Sequence, residues 1–286
     1  MRAGPIAVEP VSDPAELLFR TMALLKTRQV ANNLLASVLE RRVGDRLAGH
    51  YWIATRDGRC CGCAVQAPLQ MRVLLPKVTP SVAVELAIAI ARSSTHIPGV
   101  VADATTAATF AGQLSESSGA VVHPVEGQRI YRLRRLNQPS PGSGRLRPAA
   151  ISDRHLLSTW FVGFMAETGA LAENPVEEML ARELALGSIF VWDDGGPRAM
   201  ARVSPAVLGL VRIGSVYTPP DCRRQGIASS LVGALCVLIR SQYRAVPVLY
   251  TQLSNPAANR LYRRLGFRAE TEVLSYNFVG EAPGSD

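Results

Sequence analysis

One stretch limits what this chain can become more than any other. An apolar, strand-like run over residues 208–217 meets two prolines, and a glycine opens a helical run six residues later. The stretch reads Val216-Tyr217-Thr218-Pro219-Pro220-Asp221-Cys222-Arg223-Arg224-Gln225-Gly226-Ile227-Ala228, with the helix continuing to about residue 244. Pro219 and Pro220 have no amide proton and cannot extend a ladder, so the strand ends there. A helix entered from such a loop leaves its first N–H groups without intrahelical acceptors and carries partial positive charge at that end. This arrangement binds phosphate. Gly226 lacks a Cβ and Ala228 adds only a methyl, so the amides of Gln225, Gly226, Ile227, Ala228 and Ser229 are open to a bulky anion. Arg223 and Arg224 add charge beside them.

The spacing matches neither G-x-x-x-x-G-K-[ST] nor G-x-G-x-x-G, the usual nucleoside triphosphate and dinucleotide signatures. Arg223-x-x-Gly226-x-Ala228 instead resembles the pyrophosphate loop of the GNAT N-acetyltransferase superfamily, Gln/Arg-x-x-Gly-x-Gly/Ala between a strand and a helix. A second element follows at the right distance. Residues 255–267 match Asn-x-x-Ala-x-x-x-Tyr-x-x-x-Gly-Phe at Asn255, Ala258, Tyr262, Gly266 and Phe267. Asn255 is a good helix N-cap and Pro256 a good first helical residue. Asn255 and Tyr262 lie about two turns apart and share a face, and Gly266 is placed to end the helix. Val-Tyr-Thr-Pro-Pro at 216–220 further resembles a GNAT subgroup of this length with a degenerate first half.

The resemblance implies acetyl-coenzyme A as cofactor and direct transfer of its acetyl group to a primary amine. It implies a pyrophosphate on the loop amides, a pantetheine arm along Ser215, Val216, Tyr217 and Thr218, and a thioester carbonyl polarised by a backbone N–H there. Tyr262 is the expected general acid, because a phenol of pKa ~10 suits a leaving thiolate of pKa about 8.5 or higher. The bland alternative is a buried, satisfied tyrosine. Asn255 is either a cofactor contact or simply the cap. Many GNAT enzymes place a carboxylate on the strand before the loop, but residues 208–217 contain none. Glu167, Glu173, Glu177 and Glu178 are the remaining carboxylates near an acceptor, and Glu167 is nominated as base; deprotonation through water would also serve.

Composition supports a folded chain. At 286 residues two domains are expected, and 48% hydrophobic with 19% charged residues describes an ordered protein. The net charge is +8, yet no Lys/Arg run of nucleic-acid-binding length occurs; Arg132, Arg134 and Arg135 come nearest. No nucleic-acid partner is expected, and an anionic cofactor accounts for local positive charge more economically. No apolar run approaches the ~20 residues of a membrane span, and the start of the chain has no apolar export core. Five cysteines fit a reducing compartment, and the cytoplasm is expected. Cys60-Cys61-Gly62-Cys63 has no second Cys or His pair near it, so no metal is expected.

Along the chain, residues 1–136 read as a mixed α/β half, with a helix begun at 102 and a last strand over 128–136. Residues 137–144, Asn-Gln-Pro-Ser-Pro-Gly-Ser-Gly, read as a linker. The order then repeats over 145–286. The expected fold is α/β of the α+β mixed-sheet kind: two GNAT-like domains in tandem, each a twisted mixed sheet flanked by helices. Residues 1–136 lack a cofactor loop, since Pro76-Lys77-Val78-Thr79-Pro80 stands where it belongs, and 145–286 is the catalytic domain. The expected function is N-acetyl transfer to a small-molecule or protein amine. The alternative is a non-catalytic acyl-coenzyme A-binding sensor or partner-binding protein, motivated by the missing strand carboxylate.

Overall fold

The computed structural model describes residues 4–45, 48–93, 95–139, 143–170 and 175–279. In chain order the elements are β1 (Ile6–Val11), α1 (Pro14–Thr27), α2 (Gln29–Asp45), β2 (His50–Arg56), β3 (Arg59–Gln66), β4 (Val73–Leu74), α3 (Pro80–Arg92), β5 (Gly99–Asp103), α4 (Ala104–Ser118) and β6 (Val121–Leu133). There follow β7 (Arg145–Pro148), α5 (Arg154–Thr168), α6 (Val176–Ala185), β8 (Ile189–Asp193), β9 (Pro197–Val203), β10 (Leu210–Tyr217), α7 (Ile227–Gln242), β11 (Val246–Gln252), α8 (Pro256–Arg264) and β12 (Phe267–Val279). The second ten elements repeat the order of the first ten. Both are mixed α/β, with a sheet that combines antiparallel hairpins and one parallel pair.

The chain forms two compact units, Met1–Arg129 with Thr271–Asp286, and Ile130–Glu270. The division corrects two expectations. It falls inside β6 and β12, not at residues 137–144, because each terminal strand serves the other copy. Residues 273–277 of β12 pair antiparallel with β5, from Val273↔Asp103 to Asn277↔Gly99, and complete the first unit's sheet. Tyr131 and Leu133 of β6 are buried in the core of the second. The expected linker is also fastened down where it is described. Asn137 donates its amide to Leu265 O and its Nδ2 to Arg264 O, both at 3.0 Å, and Ser143 O accepts from Trp192 Nε1 at 3.0 Å. Residues 140–142 lie outside the described residues. A third correction concerns 99–103, a strand where a helix starting at 102 was expected. The run Gly99-Val100-Val101-Ala102 is β-branched at its centre and lies between β4 and β12, and burial there overrides the alanine-rich continuation.

In the second unit, period-two alternation sets which way the sheet looks. Phe190 and Trp192 of β8, with Ala199, Ala201 and Val203 of β9, join the apolar stripe of α7, formed by Ile227, Leu231, Leu235 and Ile239. Their alternates Ile189, Val191 and Met200 face the other way, onto Leu157, Trp160 and Phe161 of α5 and Leu180 of α6. Strand β7 is anchored by Arg147, which bonds Asp153 at 2.6 Å and Asp193 at 2.5 Å.

The exchanged strand β6 is latched by one buried polar pair: the Tyr131 hydroxyl donates to Asn259 Oδ1 at 2.8 Å. Replacing Tyr131 by Phe strands that oxygen in the core, and unfolding of the second unit in urea is expected to lose about 1–3 kcal/mol. An unchanged midpoint would mean the latch carries no weight.

Candidate active site

The site begins where β10 stops being a regular strand. Against β9 its register runs Ile213↔Val203, Gly214↔Arg202 and then Tyr217↔Met200, so three steps on β10 oppose two on β9. This one-residue bulge is entered through Ser215, whose φ of 47° lies in the left-handed region that few non-glycine residues adopt. The extra residue flips every side chain after it. Val211 and Ile213 face α7, and without the bulge Tyr217 would follow them; instead Val216 packs on that core and Tyr217 turns to α5. Tyr217 is received there by Trp160, with ring centroids 6.5 Å apart, and by Gly163, where a Cβ would come within 2.6 Å of the tyrosine hydroxyl.

On its other edge β10 pairs in parallel with β11 from Leu210↔Val246 to Ile213↔Leu249 and no further. Both strands continue, to Tyr217 and Gln252, so they part at their C-terminal ends and residues 214–217 leave backbone groups outside that ladder. Gln252 Nε2 donates to Thr168 O at 2.8 Å and ties the end of β11 to the end of α5.

The loop that follows is a short turn over Pro220–Cys222, then two left-handed residues, Arg224 (φ 63°) and Gly226 (φ 78°). A Cβ on Gly226 would meet nothing within 4 Å, so the glycine is required by its backbone angle, and the space before it is open. No side chain caps α7. Its first internal bond is Ser230 N to Gly226 O at 3.0 Å, which leaves the amides of Ile227, Ala228 and Ser229 in the uncompensated first turn. At the loop's start the Thr218 hydroxyl is buried without a hydrogen-bond partner. Free helix amides, an open approach at Gly226 and an orphaned hydroxyl together suit an anionic, oxygen-rich ligand such as a coenzyme diphosphate.

The arginines of the loop divide. Arg223 folds back: Nε donates to Thr218 O at 2.9 Å, Nη2 meets Glu167 Oε1 at 2.6 Å, and the guanidinium lies 5.7 Å from the Tyr217 ring centroid. Glu167 at the end of α5 thus stands beside the loop, already paired. Both partners are about half exposed, where such a pair is worth at most about 1 kcal/mol. Arg224 is exposed. Gln225 braces the turn, donating to Asp221 O at 3.1 Å. Of the other carboxylates, Glu177 is held by Arg154 and Ser158, Glu178 is exposed, and Glu173 lies outside the described residues.

Helix α8 carries the second motif. Asn255 caps it, Oδ1 accepting from Ala258 N at 2.9 Å. Tyr262 is 6% exposed, set against Tyr131 (6.3 Å) and edge-on to Phe267 (6.0 Å). Burial alone pushes its phenol up to about 12. Asn259 between them escaped the sequence reading; it accepts from Tyr131 and donates to Gln252 O (3.0 Å) and Asn255 O (2.7 Å), joining α8 to β6 and β11. An asparagine within a short helix is a poor helix former, and that was the available signal. Trp160 and Gly163 left none.

The corresponding place in the first unit, residues 76–80, has no glycine. The ladder of β4 with β5 is short, Val73↔Val100 and Leu74↔Val101, and its last bridge carries the bond from Leu75 N to Val101 O at 3.1 Å. Val78 is buried, its amide donating to Thr106 Oγ1 at 3.2 Å, and Pro80 begins α3 without an N–H. Among the described residues no three His, Cys, Asp or Glu side chains group to hold a metal, and no helix is long and apolar enough to cross a membrane.

Comparison with known proteins places these features. The model of the acetyltransferase (GNAT) family matches residues 154–267. A GCN5-related N-acetyltransferase from Sphaerobacter thermophilus is similar in structure, with TM-score 0.61 and 18% identity over 99% of this chain and 98% of that one. An acetyltransferase of the GNAT family from Colwellia psychrerythraea gives 0.59 and 14% over 96% and 100%. A tandem GNAT protein of the clavulanic acid biosynthesis pathway gives 0.58 and 12% over 98% and 100%. At such identities these share the fold. None of the curated proteins matches the chain.

Burial of Tyr262 fixes the sign of a pH effect. Its folded pKa stands above the ordinary value of 10, so the unfolded state loses the proton first, and stability is full below pH 10 and falls as pH rises toward 12. The loss amounts to roughly 2–3 kcal/mol at the upper end. Tyr262→Phe is expected to remove that part of the alkaline slope in chemical denaturation followed from pH 8 upward; parallel slopes would contradict it.

Proposed function

Because residues 154–267 belong to the GNAT acetyltransferase family, we propose that the second unit is an acetyl-coenzyme A-dependent N-acetyltransferase acting directly on a primary amine. The observation that carries this reading is the uncapped start of α7 beside strands β10 and β11 that part at their ends. When bound, the coenzyme supplies the acetyl group as an activated thioester.

The chain's own residues supply binding and proton handling. The amides of Gly226, Ile227, Ala228 and Ser229, with Gln225 bracing the turn, hold the diphosphate. Three to five charge-assisted hydrogen bonds of roughly 1.5–3 kcal/mol each suffice for much of the about −8 kcal/mol of micromolar binding. Thr218 adds its unpartnered hydroxyl, and the backbone of Ser215, Val216 and Tyr217, beyond the end of the ladder to β11, aligns the pantetheine arm and polarises the acyl carbonyl. Tyr262 is protonated at neutral pH, as a proton donor to a departing thiolate must be. Arg223 and Arg224 face anionic charge at the loop. An anion there competes with Glu167 for Arg223 and leaves the Glu167 carboxylate available as base for the acceptor amine, a small molecule or a protein amine. Asn255 acts through the helix it caps. The first unit, which has no glycine at the corresponding place, serves as scaffold.

One observation favours a second reading, a protein that binds acyl-coenzyme A without transfer: β10 carries no carboxylate, and Glu167 is engaged by Arg223. Thiol release from acetyl-coenzyme A over a library of amines separates the two. Release with any amine supports the enzyme; thermal stabilisation by the cofactor with no release supports the sensor.

Gly226→Asp puts a carboxylate into the cradle at a left-handed position, and coenzyme A affinity by calorimetry is expected to fall at least about 100-fold. Retained affinity would remove the loop from the site. Tyr262→Phe is expected to lower kcat by about 100-fold with little change in cofactor Kd; an unchanged kcat would remove Tyr262 from the chemistry.

A further inference from the structure

The last turn of α5 is fastened to both strands that part at the cleft. On the β10 side Arg223 reaches it from the loop, with Nη2 2.6 Å from Glu167 Oε1 and Nε donating to Thr218 O at 2.9 Å. On the β11 side Gln252 Nε2 donates to Thr168 O at 2.8 Å. Glu167 and Thr168 are neighbours in sequence, so one turn of helix takes a tether from each of two strands whose ladder has already ended at Ile213↔Leu249. Thr168 is the last residue of α5, and its carbonyl is one of those a helix cannot satisfy from within. The Gln252 amide meets that spare acceptor.

Gln252 is also held through its backbone. Its carbonyl accepts from Asn255 N at 3.2 Å and from Asn259 Nδ2 at 3.0 Å, at the cap and within the helix that carries Tyr262. The nominated acid and base therefore meet one residue, Tyr262 through its helix and Glu167 through its neighbour Thr168. The two tethers differ in what can undo them. Arg223 is cationic, about half exposed and part of the loop whose amides suit an anion, so a bound diphosphate competes with Glu167 for it. Gln252 is neutral, and its N–H donates to a backbone carbonyl, for which an anion does not compete.

We propose that Gln252 is the positioning residue that keeps Glu167 at the cleft once Arg223 has turned to the coenzyme. This rests on the reading that α7 holds a diphosphate and that the Glu167 carboxylate accepts the proton of the acceptor amine, freeing the nitrogen lone pair for attack. In the free protein the two tethers are redundant. With the coenzyme bound, the bond from Gln252 to Thr168 is the one that still links the last turn of α5 to a cleft strand, and it does so beside the group that must take the proton.

The test uses the full-length protein and Gln252→Met, which keeps the length of the side chain and removes its donor. Amide hydrogen exchange at Gly169, whose N–H bonds Met165 O at 2.8 Å, reports the last turn of α5. Without coenzyme, Gln252→Met and Arg223→Met are each expected to speed that exchange less than about threefold, and the two together more than about tenfold. Coenzyme A added to Gln252→Met should reproduce the double variant. Simple additivity in that cycle overturns the proposal. In thiol release with an amine acceptor, Gln252→Met is expected to lower kcat about tenfold at pH 7 with cofactor Kd unchanged, and to cost nothing more when Glu167 is already Gln. The deficit should close as pH approaches about 10.4, the ordinary pKa of a primary amine, where the acceptor no longer needs a base. A deficit that persists at every pH, or in the Glu167→Gln background, makes Gln252 a brace for the fold and overturns the proposal. An unsubstituted protein that binds no coenzyme A or releases no thiol refutes the underlying reading instead, and the exchange cycle, which needs no coenzyme, still decides the tethers.

Discussion

The candidate active site depends on a single surplus residue in β10. Between Gly214 and Tyr217 the strand carries one residue more than its neighbour β9 can pair. That excess turns Tyr217 from the α7 side of the sheet to the α5 side, and the ladder to β11 ends just before it. A regular strand would keep its parity, bury Tyr217 under α7, and continue to pair with β11 up to the prolines. The cleft, the stacking of Arg223 on Tyr217 and the approach of Glu167 all follow from the flip. Energetically the bulge gives up ladder hydrogen bonds and holds Ser215 at positive φ, a local cost of order 1–3 kcal/mol that the packing of Tyr217 on Trp160 and Gly163 offsets.

Much of this was legible in the residues. Two prolines, a glycine and an asparagine mark the loop, the helix start and the second cap by local chemistry that distant packing does not override, and all three stand where the spacing put them. The repeated order of elements was visible for the same reason, since hairpin turns such as Asp57-Gly58 and Asp194-Gly195 are local signals. Gly214-Ser215 inside an apolar run was a usable sign of the bulge, though not of its direction.

What was not legible was long-range. Nothing local in β12 tells that its residues pair with β5, some 170 positions earlier, or that Tyr131 will find Asn259. Strand partners are chosen by which edges remain open once the hairpins have formed, a property of the whole chain. The same reasoning explains the linker: composition at 137–144 promised freedom, but the chain must run back past α8 to begin β7, and Asn137 finds backbone carbonyls on the way. Polar, turn-forming sequence reports what a segment can do without partners and is silent about the partners available.

Two copies of one order of elements thus differ at the same place. In the second, glycine at a left-handed angle leads into the helix and leaves the amides of its first turn facing outward. In the first, Val78 is buried and Pro80 removes a donor at the helix start. Both differences in the first copy are stabilising by themselves: more buried apolar area and one fewer orphan N–H. A copy relieved of holding a ligand at this position is free to accumulate such changes, whereas a copy that holds one must keep its donors unmet until the ligand arrives.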